Sequence, residues 1–345
     1  MSKTTLAELL DQRPWLLADG ATGTNLFDMG LQSGDAPEMW NVDPEFSDRI
    51  RTLHRKFIEA GADIILTNSF GGSAYRLKLH NAADRVFEIN KAAAVLARLE
   101  ADAVERPVLV AGSVGPTGEI LQPIGELAYE DAVAAFAEQA EGLKAGGADV
   151  LQLETISAED EYRAAVEGCA TTGLPVLGTM SFDTNGCTMM GVTPENFAKF
   201  TADMPNAPLA IGANCGTGAS ELLATVMGIL KARPDAIVIA KGNCGIPEYK
   251  DGSIHYSGTP DLMADYARLA MDAGARIIGG CCGTSYEHLA AMRAALEAHD
   301  KRPAPSIEQV IEKLGKVSDQ AKAASCGHAH ATPQSARPNR RRRKT

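Results

Sequence analysis

Two adjacent cysteines, Cys281 and Cys282, stand between glycines in the segment "GGCCGT" at 279–284. A third cysteine, Cys215, stands in "NCG" at the end of another short apolar run. Thiolates are soft ligands that suit Zn²⁺, and flanking glycines let the backbone bend so that neighbouring sulfurs meet one ion. The three cysteines therefore predict a zinc site, with buried apolar cysteines as the alternative.

Three protein ligands leave one tetrahedral position of zinc open, which is typical of a catalytic site. Three thiolates also make the site negative, so that it is a poor Lewis acid for hydrolysis. Such a site suits the deprotonation of a substrate thiol that must stay nucleophilic, and we expect alkyl transfer to a thiol. The sequence leaves open whether Cys187 or Cys244 lies near the metal.

Eight short apolar runs, each typical of a strand buried on both faces, alternate with amphipathic helical stretches. They lie at 15–23, 62–70, 107–115, 148–155, 175–182, 209–216, 236–243 and 275–283. This alternation predicts an α/β fold, a (β/α)8 TIM barrel over residues 1–302, with a doubly wound open sheet as the alternative. Residues 303–345 form a polar C-terminal extension, which we expect to be largely disordered, above all from 317 onward.

Active sites of such barrels lie at the carboxyl ends of the strands. The predicted strands end in polar or sulfur-containing residues, namely Asp19, Thr67, Glu154, Asn214, Cys215, Cys281 and Cys282. We therefore expect these side chains to meet at one rim. No histidine ends a predicted strand, which counts against a zinc lyase or hydrolase that needs a general base.

Six motifs along about residues 10–300 carry a family resemblance. They are "DGATGT" at 19–24, "TNSF" at 67–70, "GPTG" at 115–118, "LET" at 153–155, "GANCG" at 212–216 and "GGCCGT" at 279–284. In these motifs the chain resembles the homocysteine S-methyltransferase family, which includes betaine-dependent enzymes and the homocysteine domain of cobalamin-dependent methionine synthase. The resemblance implies a (β/α)8 barrel in which Cys215, Cys281 and Cys282 bind zinc.

The resemblance also implies substrate contacts. Asp19 and Glu154 would hold the ammonium group of homocysteine, and backbone N–H groups near Gly20 and Ala21 would take its carboxylate. Thr67 and Asn214 would line the pocket. The function implied is zinc-dependent methyl transfer to homocysteine, a step of methionine biosynthesis, with a non-catalytic zinc-binding or corrinoid-partner module as the alternative of another class.

The methyl donor is expected to be a small onium compound, with glycine betaine as the first choice. Proteins usually hold a quaternary ammonium in an aromatic cage, but Gly71 stands where animal betaine enzymes have a tyrosine. A cage would then come from another set of side chains, namely Trp40, Phe70, Tyr75 or Phe182. S-methylmethionine, dimethylsulfoniopropionate and a separate corrinoid protein stay open as donors.

Composition narrows the partners and the location. The net charge of −11 disfavours a nucleic-acid partner for the body of the protein. No stretch reaches the roughly 18 apolar residues of a membrane span, and no signal peptide is recognised, so we expect a cytoplasmic protein. The expected partners are homocysteine and a methyl donor, and a homo-oligomer is left open. Cys326, His328 and His330 in the tail make only a weak metal site.

Overall fold

The computed structural model describes residues 4–245, 247–250 and 253–326. Eight parallel strands form its central sheet, in the order β1, β10, β7, β6, β5, β4, β3, β2. They are β1 (Leu16–Leu17), β2 (Ile64–Leu66), β3 (Leu109–Val114), β4 (Val150–Ile156), β5 (Val176–Met180), β6 (Ala210–Cys215), β7 (Val238–Gly242) and β10 (Ile277–Gly280). A parallel bridge between Ala18 and Ile64 joins the first strand to the second and closes the ring. The predicted (β/α)8 barrel is confirmed, with all eight strands at the expected runs.

Helices surround this barrel. The described α-helices are α1 (Leu6–Gln12), α2 (Gly23–Asp28), α3 (Ser47–Glu59), α4 (Ala74–Leu77), α5 (Val86–Ala101), α6 (Tyr129–Ala145), α7 (Glu159–Ala170), α8 (Pro194–Ala202), α9 (Ala219–Ala232), α10 (Pro260–Ala273), α11 (Tyr286–Glu297), α12 (Ile307–Leu314) and α13 (Asp319–Ser325). Short 3-10 turns lie at Pro37–Asn41, Lys78–His80 and Ala83–Arg85. An antiparallel hairpin that the sequence did not predict, β8 (Pro247–Lys250) with β9 (Ser253–Tyr256), follows β7.

Local sequence signals set the bounds of these helices. In α10 the Thr259 side chain accepts a hydrogen bond from Leu262 N–H, and Pro260 occupies the first turn, where its missing N–H costs nothing. Gly274 ends the helix in a left-handed conformation with φ of 110°, which glycine adopts readily. α10 thus ends at the residue where the chain must turn back into β10.

The lower part of the barrel is filled with apolar side chains. Interior residues such as Leu16, Ile64 and Ile277 are buried, and Leu6 and Leu9 of α1 pack against the same cluster from below. Because this end is closed, a ligand cavity forms at the opposite end, where the strands finish.

The segment after the barrel contains two helices, α12 and α13, that the sequence analysis did not predict. α12 and α13 pack against α9, with Val310 and Ala321 buried. Ser318 N–H donates to Glu221 Oε1 at 2.6 Å, and Ser220 Oγ donates to the Lys316 carbonyl at 2.8 Å. The expectation of disorder is therefore wrong for 307–326, because spaced apolar residues in this polar stretch give it a face to bury. Residues 327–345, with the two tail histidines, lie outside the described residues.

Within the described part of the chain, no helix combines the length and the apolar character needed to cross a membrane.

Candidate functional site

The three predicted metal cysteines lie together at the carboxyl end of the barrel. Cys215 ends β6, and Cys281 and Cys282 follow β10, which β7 separates from β6. The three Sγ atoms all lie within 4.8 Å of one another, and those of Cys215 and Cys282 are 4.0 Å apart. In the described residues this is the one such cluster of metal-binding side chains. Cys187 and Cys244 are free thiols outside it.

Two buried amide side chains face these sulfurs. Asn214 Nδ2 lies 3.8 Å from Cys281 Sγ, and Asn243 Nδ2 lies 3.6 Å from Cys215 Sγ. The neighbouring Cys215 thiol, together with burial, raises the pKa of Cys281 to about 12. Three thiols this close cannot ionise together without a cation, whereas amide N–H groups favour thiolates. The donor set therefore fits a soft metal ion such as Zn²⁺.

Asn214 also fixes the end of β4, which β5 separates from β6. Its Oδ1 accepts hydrogen bonds from Thr155 N–H at 2.8 Å and from Thr179 Oγ1 at 2.6 Å, and its Nδ2 donates to Thr155 Oγ1 at 2.8 Å. Thr155 has a φ of 60°, a left-handed conformation that is unusual for a β-branched residue. Cys215 has the same rare backbone, with a φ of 61°. Asn214 thus holds strained backbone beside Glu154.

A cavity of about 360 Å³ opens in front of the cysteines. Its described lining includes the predicted residues Gly20, Ala21, Thr67, Phe70, Glu154, Cys215, Cys281 and Cys282. Glu154 is buried, and Ser113 Oγ donates to its Oε1 at 2.5 Å. Burial raises the pKa of Glu154, and the nearby Lys241 acts in the opposite direction. The other carboxylate oxygen of Glu154 has no described hydrogen-bond partner and can bind a cationic group in the cavity.

Asp19 and Asn214, although buried nearby, do not line this cavity. Asp19 Oδ2 accepts from Leu66 N–H at 2.7 Å, and its Oδ1 accepts from Lys241 Nζ at 3.0 Å. Burial disfavours the charged form of Lys241, but the attraction of Asp19 and Glu154 outweighs it and leaves the pKa of Lys241 raised. The sequence analysis missed Lys241, although a lysine inside the apolar run "AIVIAKGN" was a signal.

Three other residues expected to contact the substrate, Gly20, Ala21 and Thr67, have contacts within the protein. The Ala21 N–H, predicted to take a substrate carboxylate, donates to the Thr284 carbonyl at 3.0 Å. A Cβ at Gly20 would lie 2.4 Å from the same carbonyl oxygen, so only glycine permits this close approach. Thr67 Oγ1 accepts from Ser113 N–H at 2.9 Å and thereby joins β2 to β3.

The four aromatic residues predicted for a donor cage divide into two groups. Phe70 lines the cavity, as does Phe27, which the sequence analysis did not single out. Trp40 stacks on Phe46 with ring centroids 4.7 Å apart, and neither it nor Tyr75 nor Phe182 lines the cavity.

A buried carboxylate, Glu38, also lines the cavity and was also missed. Its Oε1 accepts from Gly71 N–H at 2.6 Å, and a Cβ on Gly71 would lie 2.9 Å from that oxygen. Burial raises the pKa of Glu38. Gly71 therefore lacks a side chain because the Glu38 carboxylate fills that space.

Comparison with known proteins gives consistent matches. The sequence profile described as homocysteine S-methyltransferase matches residues 16–296. The chain is 32% identical over 330 residues to methionine synthase of Mycobacterium leprae, and 33% identical over 315 residues to that of Mycobacterium tuberculosis. These matches cover 91% and 87% of the chain but 27% and 26% of the synthases, so the chain spans about a quarter of their length.

A solved structure resembles the barrel as a whole. The metallated form of the homocysteine methyltransferase MmuM from Escherichia coli matches with a TM-score of 0.70 and 25% sequence identity. The match covers 84% of this chain and 99% of that one.

Proposed function

Because the chain belongs to the homocysteine S-methyltransferase family of enzymes, we propose that it transfers a methyl group from a small onium donor to the thiol of homocysteine, forming methionine. One observation carries this proposal: three clustered thiols and the buried Glu154 carboxylate face the same cavity. An amino acid with a thiol group has a sulfur that can bind a metal held by the three cysteines and an ammonium group that can bind Glu154. The barrel supplies both at the end where such folds place their chemistry.

We propose Zn²⁺ as the metal, held by Cys215, Cys281 and Cys282. The sulfur donors and the amide N–H groups facing two of them support this choice. When bound, zinc would lower the pKa of the substrate thiol and supply a thiolate nucleophile at neutral pH.

The protein's own residues have the task of alignment. Ser113 holds Glu154, which orients the amino-acid end of the substrate, while apolar and backbone groups of the cavity exclude water. The substrate sulfur attacks the methyl carbon, the bond from methyl to the donor nitrogen breaks, and a neutral amine leaves. Because charge is neutralised in this step, no strong acid is needed, and correct alignment accounts for several kcal/mol of the barrier. No histidine is present among the described lining residues.

For the donor we propose glycine betaine, bound by its trimethylammonium group near Phe27, Phe70 and Glu38. Two aromatic rings and a buried carboxylate that line the cavity support a cationic donor. Only one oxygen of Glu38 has a described hydrogen-bond partner, so the other can face the cation. Other onium donors share this chemistry, and the experiment below separates them.

The test has two measurements. Purified protein should form methionine from homocysteine with betaine, and we compare S-methylmethionine, dimethylsulfoniopropionate and methylcobalamin as donors under the same conditions. Metal analysis should give one zinc per chain, lost in each of the Cys215→Ala, Cys281→Ala and Cys282→Ala variants. Cys326→Ala, an exposed cysteine outside the cluster, serves as the control and should keep its zinc. Full zinc in all three cluster variants would exclude this metal site.

A further inference from the structure

Lys241 is a buried cation with unused hydrogen-bonding capacity. Its side chain is 3% exposed, and it lies on β7 between Asn214 of β6 and Gly279 of β10. An ammonium group has three N–H donors. Of the described residues, Asp19 alone accepts from Lys241 Nζ, at 3.0 Å. A buried donor without a partner costs free energy, so the remaining N–H groups of Lys241 need an acceptor that the described residues do not provide.

The cavity is the place where that acceptor can come from. Among the described residues that line it, Lys241 is the one cation, whereas Glu38 and Glu154 bring two carboxylates. A substrate with an ammonium group and a carboxylate needs partners of both signs, and Lys241 is the available positive one.

The neighbours of Lys241 support this assignment. Asp19 is buried, does not line the cavity, and accepts hydrogen bonds from Leu66 N–H and from Lys241, so its carboxylate is directed toward these two partners and not toward a substrate ammonium group. Ala21 N–H, the backbone group expected for the substrate carboxylate, already donates to Thr284. Asp19 therefore acts as the residue that positions Lys241, and of the two carboxylates expected for the ammonium group, Glu154 is the one that lines the cavity.

We propose that Lys241 binds the α-carboxylate of homocysteine, while Glu154 binds its ammonium group. The inference rests on the proposed function, in that homocysteine is the acceptor. Recognition then has three points, namely the metal cysteines for sulfur, Glu154 for the amine and Lys241 for the acid. Thiols that lack the acid group lose the contact with Lys241 alone.

A set of three thiols tests the assignment by direct binding. Calorimetry on the zinc-loaded protein, without donor, compares homocysteine, 3-aminopropane-1-thiol, which lacks the carboxylate, and 4-sulfanylbutanoate, which lacks the ammonium group. Lys241→Met should weaken binding of homocysteine and 4-sulfanylbutanoate by about 10- to 150-fold, the value of one charge-assisted hydrogen bond, and leave 3-aminopropane-1-thiol unchanged. Glu154→Gln should weaken the two amines and spare 4-sulfanylbutanoate. Lys144→Met, a lysine whose Nζ donates to the Thr172 carbonyl outside the cavity, is the control.

Lys241→Met leaves the buried Asp19 carboxylate without its ion-pair partner, and this could destabilise the fold. A second comparison therefore removes the charge of Asp19 as well. The double variant Asp19→Asn/Lys241→Met, measured against Asp19→Asn, should show the same selective loss for the two carboxylate-bearing thiols. Equal weakening of all three thiols, or no loss for homocysteine, overturns the assignment. If the Lys241 and Glu154 variants show the selective pattern but the native protein forms no methionine with any donor, the role of Lys241 stands and the proposed methyl transfer fails.

Discussion

Replacing Asn214 with alanine should disturb the site by releasing the backbone of Thr155, which lies next to Glu154. The change removes three hydrogen bonds, two part-buried ones to Thr155 and a buried one to Thr179, together with the 3.8 Å contact between Asn214 Nδ2 and Cys281 Sγ. At about 1 kcal/mol each, their loss lowers the free energy of unfolding by about 3 kcal/mol. Thr155, no longer held at a φ of 60°, is then free to relax toward a common backbone conformation and to move Glu154 with it.

Chemical denaturation measures the first effect, and calorimetric binding of homocysteine to the zinc-loaded protein measures the second. The control is Thr179→Val, which removes the Thr179 hydroxyl that is shared between Asn214 Oδ1 and the Leu153 carbonyl, and leaves both bonds of Asn214 to Thr155. The control should lose about 1 kcal/mol of stability and keep its homocysteine affinity. If Asn214→Ala and Thr179→Val behave alike in both assays, Asn214 does not hold Thr155 in the way that the hydrogen bonds indicate.

Three further changes give distinct outcomes. Burial lowers the pKa of His54 from 6.5 to about 4, so the unfolded chain takes up a proton first as the pH falls. Native stability should drop by about 3 kcal/mol between about pH 6.5 and pH 4, and His54→Leu should flatten that part of a denaturation profile. Val310→Asp should lower the free energy of unfolding by about 3 kcal/mol, because it places a charge in the contact between α12 and the barrel helices. Lys313→Asp, on the exposed face of the same helix, should leave the free energy of unfolding nearly unchanged. Equal effects of the two changes would mean that α12 does not pack against the barrel. Glu38→Gln should raise the KM for betaine about tenfold, as expected for one lost charge interaction, and should leave the homocysteine affinity unchanged. An unaltered KM for betaine would show that Glu38 is not part of the donor site.

The fold could be predicted because each strand of a closed parallel barrel is buried on both faces. Such strands appear in the sequence as continuous apolar runs, and β2 and β6 lie within the runs at 62–70 and 209–216. The α12 and α13 segment was missed for the opposite reason. Its apolar residues, such as Val310 and Ala321, are few and widely spaced, and their partner α9 lies about 90 residues earlier in the chain.

The clustering of the three cysteines was predicted from the sequence, whereas the hydrogen bonds of the side chains around them were predicted only in part. Because all three cysteines stand at predicted strand ends, the sequence predicted correctly that they lie close together. It could not show that Asp19 faces Lys241 instead of the cavity, because the direction of a side chain depends on where β1 stops and which neighbour it meets. Glu38 lies outside the strands, and only the folded chain brings it to Gly71.

The left-handed residues Thr155 and Cys215 also bear on how this protein can be made more heat-resistant. Each non-glycine residue in that conformation costs about 1–2 kcal/mol relative to a relaxed backbone. Glycine at 155 would remove the penalty and would look attractive in a search for stabilising substitutions. It would also remove the hydroxyl that anchors Asn214 and loosen the strand end that carries Glu154. Relaxing the backbone at this position would therefore be gained at the expense of the hydrogen bond that holds the end of β4 beside Glu154.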